Sequence, residues 1–201
     1  MTPWPSSRKE MDMPTKILWG GFLFILFASA SLPSLAKGEE ALIEDLCIER
    51  EKGALAISFS VRNCFNKKME EAIRAGVPTT FNFFVKLYKK RSIIWDKKIA
   101  SHQFQHNIAY DNLKKDYHIW LTEKGKEIKV KDLEEAKGYM ARVEKFRVVM
   151  AKDLEAGEYE LSVKAELDPV KLPLRLECIL FFVSLWNFET DWYRQTFRVE
   201  P

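Results

Sequence analysis

Three stretches of this chain alternate apolar and polar residues with a period of two. Leu55, Ile57, Phe59 and Val61 are interleaved with Ala56, Ser58, Ser60 and Arg62. Phe81, Phe83, Val85 and Leu87 are interleaved with Asn82, Phe84, Lys86 and Tyr88. Tyr159, Leu161, Val163, Ala165 and Leu167 alternate with Glu158, Glu160, Ser162, Lys164 and Glu166. Successive side chains of a strand point to opposite faces. The pattern therefore predicts strands with one face in a core and the other mostly in water.

Weaker strands fill the gaps. Residues 42–50 are expected to pair with 54–62 across Lys52-Gly53, where glycine permits the positive φ of a tight turn. Residues 95–107 read as the return strand after the Lys-rich turn near Arg91. Residues 116–121 and 127–131 form a further hairpin around Lys124-Gly125. Residues 145–151 are expected to pair with 157–167 across Glu155-Ala156-Gly157. The last strand is 192–199, with Tyr193, Phe197 and Val199 on one side.

Helical signals are few. Asn66 to Ala75 has a capping residue at its start and Gly76 as a stop, and Val77-Pro78 then forces extended chain. Asp132 to Val143 has an Asp cap, with Leu133, Ala136, Met140 and Val143 near helical spacing. The apolar stretch from Pro173 to Trp186 fits a short buried helix followed by a loop, or a core strand. Eight or nine strands with short helical connections predict a mainly β fold. Its expected form is an antiparallel β-sandwich-like single domain with two or three short helices.

The N-terminus is of another kind. Arg8, Lys9 and Lys16 precede an apolar run from Ile17 to Ala30, which Pro33 ends. Ser34-Leu35-Ala36 places small residues where a signal peptidase reads them. Residues 1–36 are therefore expected to be a secretory signal cleaved after Ala36, with Ala30 as an earlier site and Met13 as an alternative start. The run is shorter than the roughly twenty residues that span a bilayer. An uncleaved membrane anchor is the competing reading. On the signal reading, 37–201 is one β-rich periplasmic domain that does not itself span a membrane.

The chain carries 32 basic and 29 acidic residues. Setting aside the leader's three basic and two acidic residues leaves 29 against 27, a net charge of +2. Such balance does not point to nucleic acid or to an acidic membrane. Clusters such as Lys89-Lys90-Arg91 read as solvated strand ends. The three cysteines, Cys47, Cys64 and Cys178, cannot all pair within one chain, and Cys47 and Cys64 would not face each other across a hairpin turning at Gly53. Buried free thiols are the expectation.

Catalytic patterns are scarce. His102 and His106 have helical metal-ligand spacing but lie in an extended stretch, where residues four apart are about 13 Å from each other. No Gly-x-Ser-x-Gly or phosphate loop is present. His118 falls in a strand, and Glu189 and Asp191 read as a polar turn rather than an acid–base pair. The expectation is a non-enzymatic protein with no cofactor and no metal. The candidate binding surface is the aromatic C-terminus, where Trp186, Phe188, Trp192 and Tyr193 bracket Glu189 and Asp191. Tryptophan and tyrosine give large contact area at small entropic cost. The same aromatics serve equally as plugs closing one end of the sandwich, with Trp95 and Trp120 packing against them or extending them.

Several segments carry a resemblance when taken in order. They are Ala72-Ile73-Arg74-Ala75-Gly76-Val77-Pro78, Trp95-Asp96-Lys97-Lys98-Ile99-Ala100, Tyr159-Glu160-Leu161, Leu172-Pro173-Leu174, and Trp186 through Tyr193. This order resembles the proteobacterial family called the domain of unknown function DUF4390, from about Ala41 to Val199. The resemblance implies an exported protein of Gram-negative bacteria, often encoded near a nitrogen-regulation-type sensor kinase. It carries over no catalytic residue. The expected function is that of a periplasmic protein-interaction module whose partner is a membrane or envelope protein such as a sensor kinase. The alternative is a periplasmic lipid- or glycan-binding protein.

Overall fold

The computed structural model describes residues 40–93, 95–168 and 188–200. The leader, the stretch 173–186, Cys178 and Trp186 lie outside the described residues.

The first hairpin forms where the alternation and the turn chemistry agree. β1 (Leu42–Glu51) and β2 (Ala54–Arg62) pair antiparallel across Lys52 and Gly53. Both turn residues have positive φ, 48° and 75°. This is the backbone of a two-residue type I′ turn, whose twist matches that of the flanking strands. Seven further strands follow among the described residues. They are β3 (Thr79–Lys89), β4 (Lys97–Asp111), β5 (Asp116–Leu121), β6 (Lys126–Val130), β7 (Arg142–Met150), β8 (Gly157–Leu167) and β9 (Tyr193–Val199). They build two antiparallel sheets, β1-β2-β7 and β6-β5-β4-β3-β8-β9. The chain is thus mainly β, as the alternation predicts.

One expected pairing is corrected. The strand at 145–151 exists as β7, but it pairs with β2, Ala54 opposite Met150, and not with 157–167. A short 3-10 turn, Ala151–Asp153, turns the chain away after β7, and the Ala151 N–H donates to the Gly53 carbonyl at 2.8 Å. β2 buries consecutive residues from Ala54 to Ile57, the mark of a central strand, and β7 covers its second edge. β8 lies instead between β3 and β9. The chain therefore crosses between the sheets three times, after β2, after β6 by way of α2, and after β7.

The helices form where their caps predict. The Asn66 side chain accepts the Met69 N–H at 2.9 Å to open α1 (Lys67–Arg74), which buries Met69, Ala72 and Ile73. Asp132 caps α2 (Leu133–Ala141) by accepting the Glu135 N–H at 2.9 Å, and Leu133, Ala136 and Met140 turn inward. α2 stops short of Val143 because Arg142 and Val143 already belong to β7.

Four phenylalanines join the sheets. Phe59 of β2 meets Phe83 of β3 edge-on, with centroids 5.9 Å apart. Phe83 stacks on Phe104 of β4 at 5.3 Å, and Phe104 on Phe146 of β7 at 4.4 Å. Offset and edge-on contacts of this kind add to the area each ring buries.

The expectation for the thiols holds for Cys64, which is buried and free, but not for Cys47, which is exposed. The cause is a bulge. Asp45 has φ 54°, and the β1–β2 register shifts between Glu44 and Cys47. The extra residue flips the alternation, so Ile43 is buried while Cys47 turns to solvent.

Candidate functional site

The aromatic C-terminal segment divides between core and surface. Phe188 is half-buried, and its ring meets Phe81 edge-on at 4.7 Å. The Phe188 carbonyl accepts the Leu167 N–H at 3.0 Å. Thr190 is buried. Its N–H donates to the Ala165 carbonyl at 2.9 Å, and its hydroxyl accepts the Ala165 N–H at 3.0 Å. Residues 188–190 are thereby tied to the end of β8, and Glu189 forms an isolated bridge with Glu166. The Glu189 carboxylate holds the Lys164 ammonium, which also meets Glu166 at 3.1 Å. These carboxylates, Glu189 foremost, raise the Lys164 pKa above its usual value. Asp191 is exposed.

Beyond Asp191 the chain turns outward. Trp192 lies across the outer face of the six-stranded sheet, with the Lys86 ammonium 4.2 Å from its ring centroid and Lys164 at 6.0 Å. This is cation–π geometry. Tyr193 opens β9 opposite Val163 and is 42 % exposed. Of the candidate residues, Phe188 is a core plug, Glu189 braces the surface, and Trp192 and Tyr193 are accessible.

Trp192 forms one wall of a cleft of about 430 Å³. Tyr88 and Trp95 supply further aromatic surface, and Ser162 lies at its centre on β8. Its charges are arranged in pairs. Lys90 Nζ stands 3.1 Å from Glu160 and 3.4 Å from Asp96, which raise its pKa, Glu160 first. Arg194 Nε is 3.8 Å from Glu160. Lys86 takes no salt bridge among the described residues and is engaged by the Trp192 ring alone. Strand residues Tyr88, Lys86, Glu160 and Arg194 and loop residues Trp95, Asp96 and Trp192 together place three aromatic side chains and charges of both signs around a single opening. That arrangement suits binding without rearrangement of the backbone.

Sequence reasoning named Trp95 as a possible extension of this surface, and it does line the cleft. Trp120, named with it, shares the outer face but sits on β5 opposite Asn107, two strands from β3. Lys86, Tyr88, Ser162 and Arg194 were not singled out. Their signal was the outward phase of the alternation, which marks a face without saying what crosses it. A larger cleft, about 520 Å³, lies beside α2, with Leu121, Ile128 and Tyr139 in its lining. There Lys124 lies 3.8 Å and Arg142 3.9 Å from Glu144.

The histidines go elsewhere. His102 Nε2 bonds the Val148 carbonyl at 2.7 Å, and His106 Nδ1 bonds the Met140 carbonyl at 3.0 Å. His106 Nε2 faces Glu123 Oε2 at 3.3 Å, both side chains almost fully buried. His118 lies between Asp116, 3.1 Å from Nε2, and Glu127, 2.7 Å from Nδ1. Among the described residues, none of the three meets Glu189 or Asp191. Asp111, Asp116 and His118 bring ligand-type atoms within 4.8 Å of one another at the β4–β5 turn and could hold a cation. Asp111 is already engaged there, accepting the N–H groups of Leu113 and Lys114, which lower its pKa, Lys114 foremost.

The family model described as Domain of unknown function (DUF4390) matches residues 38–196. The chain belongs to the DUF4390 family. The match takes in both sheets, the cleft and the segment that carries Trp192. No curated protein and no solved structure matches this DUF4390 chain. No helix among the described residues is long and apolar enough to cross a membrane.

Proposed function

We propose that this DUF4390 chain is an exported, non-catalytic binding protein of the periplasm. In this reading its outer-face cleft engages a membrane or envelope protein, with a sensor kinase as the first candidate. The observation that carries the reading is the placement of Trp192. The chain plugs the core with Phe188, anchors Thr190 on β8, and then lays an indole over Lys86 on the open face of a rigid sheet. Trp95, Tyr88 and Arg194 beside it are the residue types that dominate binding energy at protein interfaces. The leader supports export, and the family resemblance supports the kinase as partner.

The test is direct binding of the full chain to the periplasmic portion of a nitrogen-regulation-type sensor kinase from the same genome, measured by calorimetry. Trp192→Ala is expected to weaken binding by about 2 kcal/mol, some thirtyfold in Kd. No binding by the wild type, or equal binding by the variant, refutes the reading. A glycan reading draws on the same cleft, because Trp95 and Trp192 flank the polar groups of Ser162, Glu160 and Asp96. Binding of oligosaccharides in place of the kinase would favour it. The lipid reading needs an apolar cavity between the sheets, where Phe59, Phe83, Phe104 and Phe146 are in mutual contact.

A further inference from the structure

The hairpin between β3 and β4 ends in a tip made for something other than water. Ile93 is 94 % exposed and Trp95 92 %. Arg91, Ser92, Asp96, Lys97 and Lys98 beside them are exposed as well. Two large apolar side chains, both almost fully exposed and two residues apart, are unlike the scattered single apolar residues of an ordinary surface.

The charges of the tip are sorted. Its one acid, Asp96, is used internally. Asp96 Oδ1 accepts the Arg91 N–H at 3.1 Å, and Oδ2 meets Lys90 Nζ at 3.4 Å. Lys89 is bound to Glu155 at 2.6 Å. Arg91, Lys97 and Lys98 take no salt bridge among the described residues. Asp96 thus braces the loop, and an exposed indole and sec-butyl group share this short segment with three cations that take no salt bridge.

We infer that this tip docks on an anionic phospholipid bilayer. Ile93 and Trp95 enter the boundary between headgroups and acyl chains, and Arg91, Lys97 and Lys98 meet lipid phosphates. Indole is favoured at that depth because it has an apolar body and one N–H donor for the wet side. The three cations are complementary to the negative surface. A bilayer surrounds a narrow projection on all sides. A protein surface would have to supply roughly 800 Å² of matched area, which two side chains do not fill. The overall charge balance of the chain conceals this site, because its cations count only where they are gathered. Attachment through one small tip is weak and reversible, and each cation contributes on the order of fivefold in partitioning.

The test uses the full chain with phosphatidylcholine vesicles, with and without one-third phosphatidylglycerol. Sedimentation measures binding, and amide hydrogen exchange over residues 91–98 reports the tip itself, whatever the N-terminal segment contributes. Binding is expected to be on the order of a hundredfold stronger to the anionic vesicles. Protection should appear at the tip. Ile93→Ser should reduce binding severalfold, and Arg91→Gln/Lys97→Gln/Lys98→Gln should abolish the anionic preference. No binding, sedimentation without protection at the tip, or unchanged binding by both variants would overturn the inference. Ile93, Arg91, Lys97 and Lys98 do not line the Trp192 cleft, so the kinase-binding test stands or falls separately.

Discussion

The buried pair of His106 and Glu123 gives a sharp test of how this core is held. His106 is fully buried among Phe83 and Phe104, and the Glu123 side chain is 3 % exposed. His106 Nδ1 needs its hydrogen to donate to the Met140 carbonyl at 3.0 Å. Nε2 then faces Glu123 Oε2 at 3.3 Å, a charge contact rather than a hydrogen bond. Two unit charges at that separation attract by about 5 kcal/mol at an effective dielectric constant near 20. Desolvation of the two groups offsets most of this. Removing one partner leaves the other buried without compensation, so His106→Leu and Glu123→Leu should each cost ~3–5 kcal/mol. The double variant loses both groups together. It should cost only about 1–2 kcal/mol, mainly for the Met140 carbonyl left without a donor. Urea unfolding of all four proteins, at constant m, measures the coupling, which is expected to be about 3 kcal/mol or more. Additive single effects would show that the two groups do not stabilise each other, and the reasoning would fail.

Further outcomes follow from local geometry. Burial pushes the Cys64 thiol up to about 12 from 9.0. A thiol raised in the folded state contributes stability that is complete below the unfolded pKa and lost as pH rises through the folded one. Unfolding free energy should therefore fall between about pH 9 and 12 by roughly 1 kcal/mol per unit, and Cys64→Ala should flatten that slope. In a Cys178→Ser background, maleimide at pH 7.5 should label exposed Cys47 and spare Cys64 until the protein unfolds. At the β1–β2 turn, Lys52 with φ 48° carries a side chain in the left-handed region. Lys52→Asn should stabilise the protein by a few tenths of a kcal/mol, whereas Gly53→Ala should cost ~1–2 kcal/mol, both read from thermal melts.

Alternation made the strands legible and left their partners open. On β7 even the inward face escapes period two, because Val143 and Val148 are both buried five residues apart across a register shift. Period two is silent on whether Val143 and Val148 sit beside β2 or β8, because both neighbours present an apolar face. The short connection to β8 suggested a hairpin, and the 3-10 turn at Ala151 defeated it. Cys47 was misplaced for a related reason, since one bulge at Asp45 inverts every later assignment on β1. At the site, composition pointed to the right segment but could not divide it. The phase changes between Thr190 and Trp192, where the chain leaves β8 and is not yet β9. Glu123 lies in a turn between β5 and β6, a setting that reads as solvated. Only the fold, which sets the turn against His106 of β4, shows that it is enclosed.

The connections from β2 to β3 and from β7 to β8, two of the three passages between the sheets, also govern how the molecule assembles. β3 pairs with β8, Phe81 opposite Leu167, and β2 pairs with β7, Ala54 opposite Met150. Each pairing alone must close a long loop that contains β4, β5, β6 and α2. Once either pair has formed, the other two strands are separated only by short connections, and the second closure is easier by about 1 kcal/mol of chain entropy. Neither sheet can then form far ahead of the other. The dominance of distant contacts sets a slow rate, in the range of milliseconds to seconds. Half-assembled sheets, with their unpaired edges, should remain scarce along the way.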